Sequence, residues 1–383
     1  MKKLVILSSR FPYPLEKGDK LRLYHQIKHL SDHFDIYLLC TIESDILQGV
    51  AREVTKYCKG FKYYKISRSS QALGLALNII GRSPFQVRYF YEKKIRKQIE
   101  QEIAEIKPDV IYCQLIRMVP YTDKLDYPMV IDFMDAFSLI MKRQHGSAKS
   151  LMRKWFYKTE AKRLSRYEKK IQDRFKVKTI ISQQDKDALS EISNLQVISN
   201  GVDTEYFKGR DLPKNYDILF AGNMGYKPNV AAAKYLVNEI VGEQQYKVLI
   251  AGARPIHEVA QLASDKVTVS GWMDDIREAY GVSRIFVAPL FEGAGQQNKI
   301  LQAMAIGIPC ITTSQVNNAI GAKEGEEIMI ADDAPTYKAH IKLLLENPES
   351  VSKIASNARI LVESRYSWEK QNDKLVGLIN SVT

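Results

Sequence analysis

Short apolar runs alternate with longer helix-forming segments along all 383 residues, and this alternation restricts the fold more than any single motif does. In the first half, the runs at 4–9, 36–41, 61–66, 110–113, 129–133 and 178–182 read as strands. The segments 19–30, 93–105 and 151–174 between them read as helices. The second half repeats the pattern, with strands expected at 217–221, 247–251, 266–270, 284–288, 308–312 and 327–330. Runs such as Ile285–Ala288 are apolar throughout, as in strands covered on both faces of a parallel sheet. The expected fold class is α/β, with two doubly wound Rossmann-like domains, because the chain is too long for one core. Such sheets bind ligands at the C-terminal ends of their strands, so the natural site is the cleft between the domains.

One strand-loop-helix unit carries unusual chemistry. Phe291 to Thr313 reads FEGAGQQNKILQAMAIGIPCITT. Gly293 and Gly295 permit a tight turn and close approach to a ligand. Residues 296–306 are good helix formers, stopped by Gly307 and Pro309. Between Gly293 and Gly307 the only charged residue is Lys299. Free N–H groups at a helix start, two glycines, a lysine and no carboxylate suit an anion, most naturally phosphate. An ordinary glycine turn in a strand-helix unit has the same spacing, and both readings stay open on spacing alone.

The net charge of +12 is unevenly distributed. Residues 1–205 hold 37 Lys and Arg against 24 Asp and Glu, while residues 206–383 hold 19 against 20. All the excess charge therefore lies in the first half. The segment 142–170 alone has eleven Lys or Arg against Glu160 and Glu168, interleaved with Leu151, Met152, Trp155, Phe156 and Tyr157. No apolar run approaches the ~18 residues a spanning helix needs, and the first seven residues read as a strand. The four cysteines have no metal or disulfide spacing and read as reduced thiols of the cytoplasm.

The segment EGAGQQNKILQAMAIGIPCITT resembles the donor-binding segment of family 4 glycosyltransferases, usually EGFG…EAMAxGxPVV. It is most similar to the branch found in bacterial exopolysaccharide (PEP-CTERM-associated) clusters, with its RGxQNKVLEAMAxGxPVV pattern. Three further stretches match in order: RFPYPLEKGDKLRLYHQIKHL from Arg10, NGVDTEYF from Asn200, and RYSW from Arg365. The resemblance implies the GT-B architecture. Its expected parts are a basic acceptor-side domain over 1–205, a nucleotide-sugar domain over 206–365, and a C-terminal helix over 366–383 that returns to the first domain. Asn200-Gly201 would then lie in the hinge region, with unusual backbone angles.

The resemblance also assigns residues. Gly18 and Asp19 would face the donor phosphate or the acceptor, or cap the helix they begin. Gly222 and Lys227 in GNMGYKPN would approach the diphosphate, although the Arg that family members often carry here is missing. Trp272 would stack on the nucleobase or pack beneath its loop. Gly293, Ala294, Gly295, Gln297, Asn298 and Lys299 would line the donor site. Gln302 occupies the place of the glutamate that holds the ribose hydroxyls, and Ala294 that of its partner, with Glu292 nearby. In VIDFMDAFS, Met134 replaces the usual His, leaving Asp135 to hold an acceptor hydroxyl, act as base, or cap a helix.

Together these imply a retaining glycosyltransferase. It would move a sugar from a nucleotide-sugar donor to a lipid-linked or polysaccharide acceptor, with Lys299 and Asp135 as catalytic groups. No Asp-x-Asp metal cluster stands out, so neither metal nor cofactor is expected. The basic aromatic segment predicts a peripheral protein on the cytoplasmic leaflet, its first domain against anionic lipid. A nucleotide-sugar epimerase of the same architecture is an alternative, separable by free donor isomer formed without acceptor. A basic nucleic-acid-binding protein is another, but no nucleic-acid motif appears and no nucleic-acid partner is expected.

Overall fold

A computed structural model describes residues 1–15, 17–79, 81–209, 212–292 and 296–383. The chain divides into two compact units, Met1–Ser199 with Gln371–Thr383, and Asn200–Lys370.

The first unit is built on seven parallel strands: β1 Lys2–Ser8, β2 Phe34–Ile42, β3 Gly60–Lys65, β4 Val110–Gln114, β5 Met129–Asp132, β6 Val177–Ile180 and β7 Leu195–Val197. Their order is β3-β2-β1-β4-β5-β6-β7. The short β7 was not legible as a strand; it holds only one fully apolar pair of side chains and pairs along one edge with β6. In β1, Leu4 and Ile6 enter one core layer while Val5 and Leu7 enter the layer on the opposite face. This two-residue alternation explains why the run is apolar throughout. The order reverses between β1 and β4, so the loops after these strands flank the topological switch point.

The C-terminal helix Trp368–Asn380 sends Leu375 and Ile379 into the first unit's core. Asn372 Nδ2 donates to the His25 carbonyl at 3.0 Å, and Asp373 lies 3.0 Å from His29 Nε2.

The second unit has six parallel strands: β8 Tyr216–Ala221, β9 Val248–Ala251, β10 Val267–Gly271, β11 Ser283–Ala288, β12 Cys310–Thr312 and β13 Met329–Ile330. Their order is β10-β9-β8-β11-β12-β13, so this sheet also reverses, between β8 and β11.

The boundaries differ from the expected 205/206 and 365/366, falling at 199/200 and 370/371. Long-range contacts move them. Val202 bridges Ser367, and Val202 and Phe207 belong to the second unit's core. Gly201 does not adopt the unusual φ expected of it. It is required because a Cβ there would lie 2.5 Å from the Trp368 amide nitrogen.

Among the described residues, no helix is long and apolar enough to cross a membrane. The four cysteines are unbridged.

Candidate active site

In the second unit, the loops after β8 and β9 touch. Gly252 has φ +130°, and a Cβ on it would fall 1.9 Å from the Gly222 carbonyl oxygen. A Cβ on Gly222 would meet Asn229 Nδ2 at 2.8 Å and Lys299 Nζ at 3.0 Å. Glycine is needed at both positions because backbone and functional side chains occupy that space.

Lys299 is the second residue of the helix Asn298–Ile306, which follows the β11 loop. Its ammonium donates to Asn229 Oδ1 at 2.5 Å and sits 5.2 Å from the centre of the Phe220 ring. Asn229 is buried, and its Nδ2 donates to the Asn223 carbonyl at 2.9 Å. Lys299 makes no ion pair among the described residues, and burial pushes its pKa down to about 8. Enclosing an ammonium costs free energy that a neutral amide only partly offsets. An incoming anion would recover that cost, so the arrangement favours a negatively charged ligand.

The rest of the expected donor site is placed unevenly. Gly293, Ala294 and Gly295 lie outside the described residues. Gln297 is the N-cap of the helix but makes no side-chain cap bond. Asn298 Oδ1 is buried without a hydrogen-bond partner. Gln302 Oε1 accepts from the Tyr280 hydroxyl at 3.4 Å, which leaves its amide nitrogen as the group able to meet a ligand. Trp272 does not pack beneath its loop: it is 71% exposed, with its indole N–H donating to Asp274 Oδ1 at 3.2 Å. Lys227 opens the helix Lys227–Tyr235 and lines a cavity of about 630 Å³ with Lys234, Glu258 and Glu292. Glu292 therefore shares a cavity with Lys227.

Two polar residues here escaped the sequence reading. Asn229 stood inside the quoted motif, but its link to Lys299 spans 70 positions. Arg254, after β9, has a left-handed φ of 56°. Its carbonyl and Cβ lie 3.5 and 3.6 Å from where a Gly225 Cβ would stand. An arginine thus borders the Gly222–Gly225 loop, supplied by the neighbouring strand. The only local signal was its position just after an expected strand.

In the first unit, the candidate residues gather after β1, β4 and β5. Helix Gly18–Leu30 is N-capped by Lys17 with no side-chain cap bond, so neither Gly18 nor Asp19 is its cap. Asp19 instead pairs with Arg10 at 2.5 Å. Its carbonyl accepts from Gln114 Nε2 at 2.9 Å. Gly18 is exposed, and a Cβ there would meet nothing within 4 Å.

Asp132, at the end of β5, is fully closed. It pairs with Arg22 at 2.6 Å, both side chains being 0% exposed. It also accepts from the Tyr112 and Thr179 hydroxyls at 3.0 Å each. Met134 follows with a left-handed φ of 61°, and its side chain is buried, so the position aligned with the usual His faces the core.

Asp135 differs from Asp132. Its carboxylate accepts no hydrogen bond among the described residues. Burial, then the charge of Asp185, pushes its pKa up to about 6. It does not cap the next helix, Phe137–Ser147, whose N-cap Ala136 sends its N–H to Asp185 Oδ1 at 3.3 Å. A carboxyl poised near neutrality and free of partners suits proton transfer.

Arg117, after β4, was also missed. Its guanidinium lies 4.7 Å from the Phe90 ring centre and 5.0 Å from that of Phe137, and donates to Gln86 Oε1 at 2.9 Å. Its Nε is buried without a partner, and burial lowers its pKa to about 10.

Residues 215–347 match the family described as Glycosyl transferases group 1. The second unit carries a group 1 glycosyltransferase domain. Over the whole length, the chain is 23% identical to an uncharacterized 44.6 kDa protein in the cps region of Klebsiella pneumoniae, covering 97% of this chain and 98% of that one. Sucrose-phosphate synthase from Thermosynechococcus elongatus superposes with a TM-score of 0.72 at 14% identity, covering 99% of each chain. Anabaena HepE, in complex with UDP and glucose, gives 0.70 at 15% identity and full coverage of both. Two parallel-sheet units of this kind are the GT-B fold of glycosyltransferases.

Proposed function

We propose that this glycosyltransferase binds a nucleoside-diphosphate sugar at the β8, β9 and β11 loops of its second unit. It passes the sugar to a lipid-linked or polysaccharide acceptor in the building of a cell-surface polysaccharide. The observation that carries this reading is Lys299, a half-buried ammonium whose hydrogen-bond partner among the described residues is the neutral Asn229 amide, beside two glycines whose Cβ positions are occupied.

In the transfer, the bond from the anomeric carbon to the diphosphate oxygen breaks and its electron pair leaves with the diphosphate. Lys299, Lys227 and the amides at the start of helix Asn298–Ile306 stabilise that charge. The acceptor hydroxyl forms the new bond and yields its proton to Asp135. Resemblance to family 4 members supports retention of the anomeric configuration. Gln302 meets the ribose through its amide nitrogen, and Trp272 offers an exposed ring face to the base. The basic first unit holds the protein on the cytoplasmic leaflet as a peripheral protein. The cps-region relative and the UDP-bound HepE structures support this reading.

Thermal unfolding in the presence of UDP-, GDP-, ADP- and dTDP-sugars tests the donor. A true donor at about 100 times its Kd should stabilise the protein by roughly 2.7 kcal/mol. No shift with any of them would remove the donor assignment. Formation of a free donor isomer without acceptor would favour the epimerase.

A further inference from the structure

We propose that a groove beside helix Leu151–Ile171 binds the phosphate headgroups of an anionic bilayer, a reading that deepens and rests on the membrane attachment above. Three cavities of about 400, 690 and 500 Å³ adjoin along this helix. The first two share Arg82, Arg163 and Arg166, and the last two share Ser83, Tyr167 and Lys170. They therefore form one groove between the helix and the chain that follows helix Arg68–Leu77. Among the described residues its single lining carboxylate, Asp123, is already paired with Arg174 at 2.5 Å.

An ordinary solvated basic helix sets acidic residues one turn from its cations. Here both acids of the helix are withdrawn. Glu160 is buried and accepts the amides of Phe85 and Gln86 at 3.0 and 3.1 Å, at the start of helix Phe85–Tyr89. Glu168 is buried and accepts the Ser138 amide at 3.1 Å, at the start of helix Phe137–Ser147. On the outward face Lys169 pairs with Glu191 at 3.0 Å, and the cations that line the groove keep no counter-charge from the helix itself. Arg82, Lys162, Arg166 and Lys170 make no ion pair among the described residues. Guanidinium forks match phosphate oxygens, which is the chemistry this groove offers.

Apolar side chains mark both ends. Leu77 lies at one end and Trp155 at the other, 67% and 65% exposed, and Leu73, Ile79, Leu151 and Met152, close to them in the chain, are between 62% and 83% exposed. Leu77 and Trp155 themselves line the groove. Cations for phosphate between two apolar ends are the complement of a bilayer interface, where headgroup phosphates lie beside acyl chains. Arg163 fixes the shape by donating to the carbonyls of Asn78 and Ile79 at 3.2 and 3.1 Å.

The test is flotation of the full chain with vesicles of phosphatidylethanolamine and phosphatidylglycerol. Arg82→Glu with Arg166→Glu should cut the bound fraction about tenfold or more at low salt. The milder pair Arg166→Gln with Lys170→Gln should lower it in the same direction, and both should keep the wild-type melting temperature and donor-induced shift. Failure of the wild type to float would sink the membrane reading, and the groove with it. Full flotation of both groove variants, with loss on replacing Trp155, would sink the groove alone. Soluble pyrophosphate that stabilises the wild type but not the variants, with vesicle binding unchanged, would assign the groove to a soluble anion. RNA binding abolished by the same variants, without flotation, would assign it to nucleic acid. Either result overturns the proposal.

Discussion

Both units bury a cation near the C-terminal ends of their central strands, and they treat it differently. Arg22 of the first unit meets Asp132, with both side chains 0% exposed and the carboxylate further held by Tyr112 and Thr179. Lys299 of the second unit meets, among the described residues, the neutral amide of Asn229 and the Phe220 ring, and no carboxylate. A buried pair with every lone pair satisfied needs nothing from outside, and breaking it strands a charge. A half-buried ammonium with a neutral partner retains unspent electrostatic capacity. The same residue class is thus scaffolding in one unit and a candidate ligand site in the other, and what separates the two is the identity of the partner.

Removing one side of the closed pair should have the largest effect. Arg22→Ala should destabilise the first unit by about 3–5 kcal/mol, read by chemical denaturation, because Asp132 is left buried and uncompensated. A loss below about 1 kcal/mol would mean that water reaches Asp132 and that the contrast between the units is weaker than drawn.

Asp135 sits three residues from Asp132 without its partners, and Asp135→Asn should cut kcat about a hundredfold while leaving donor affinity in place. Its folded-state pKa is raised, from 3.8 to about 6, so the folded protein binds the proton more tightly than the unfolded chain. Wild-type stability should therefore fall as pH rises from about 4 to about 6, and the variant should lack that fall. Equal loss of donor binding in the variant would move Asp135 into a structural role.

Lys299→Ala should weaken UDP binding about tenfold or more without loss of stability, since each charge-assisted hydrogen bond is worth roughly 1.5–3 kcal/mol. Asn229→Asp sharpens the comparison by building a closed pair in the second unit. It should raise the Lys299 pKa and weaken UDP by a similar factor. In the wild type, UDP affinity should decline as pH passes about 8, where the free ammonium loses its proton, and Lys299→Arg should abolish that decline. Calorimetric titration across pH separates these outcomes, and a flat wild-type profile would argue against contact with the phosphate.

The smallest effect is expected at Gln302. Its oxygen is already engaged by Tyr280, so Gln302→Ala should raise the donor KM about fivefold, as loss of one neutral hydrogen bond would. Gln302→Glu keeps the acceptor but loses the amide N–H, so it should raise the donor KM at least as much. Donor binding by Gln302→Glu at or above the wild-type level would show that the amide N–H is not the contact.

Much of the architecture was legible along the chain. The apolar runs from Leu4 to Leu7 and from Ile285 to Ala288 are strands because burial on both faces leaves no room for polar residues. The helix after β11 ends at Gly307, whose φ of 85° suits glycine, and Lys299 stood out as the single charge in its stretch. These are local properties, written in composition and spacing. Only the tertiary structure decided the partners. Asn229 reaches Lys299 across 70 positions, and Asp132 reaches Arg22 across 110. Glu160 and Glu168, counted along the chain as opposing charges on a basic helix, turn inward to bind the starts of two other helices. Whether a charge is neutralised depends on which strand ends and helix starts the sheet order brings within about 3 Å, the range of a hydrogen bond, and residue spacing along one element carries no record of that order.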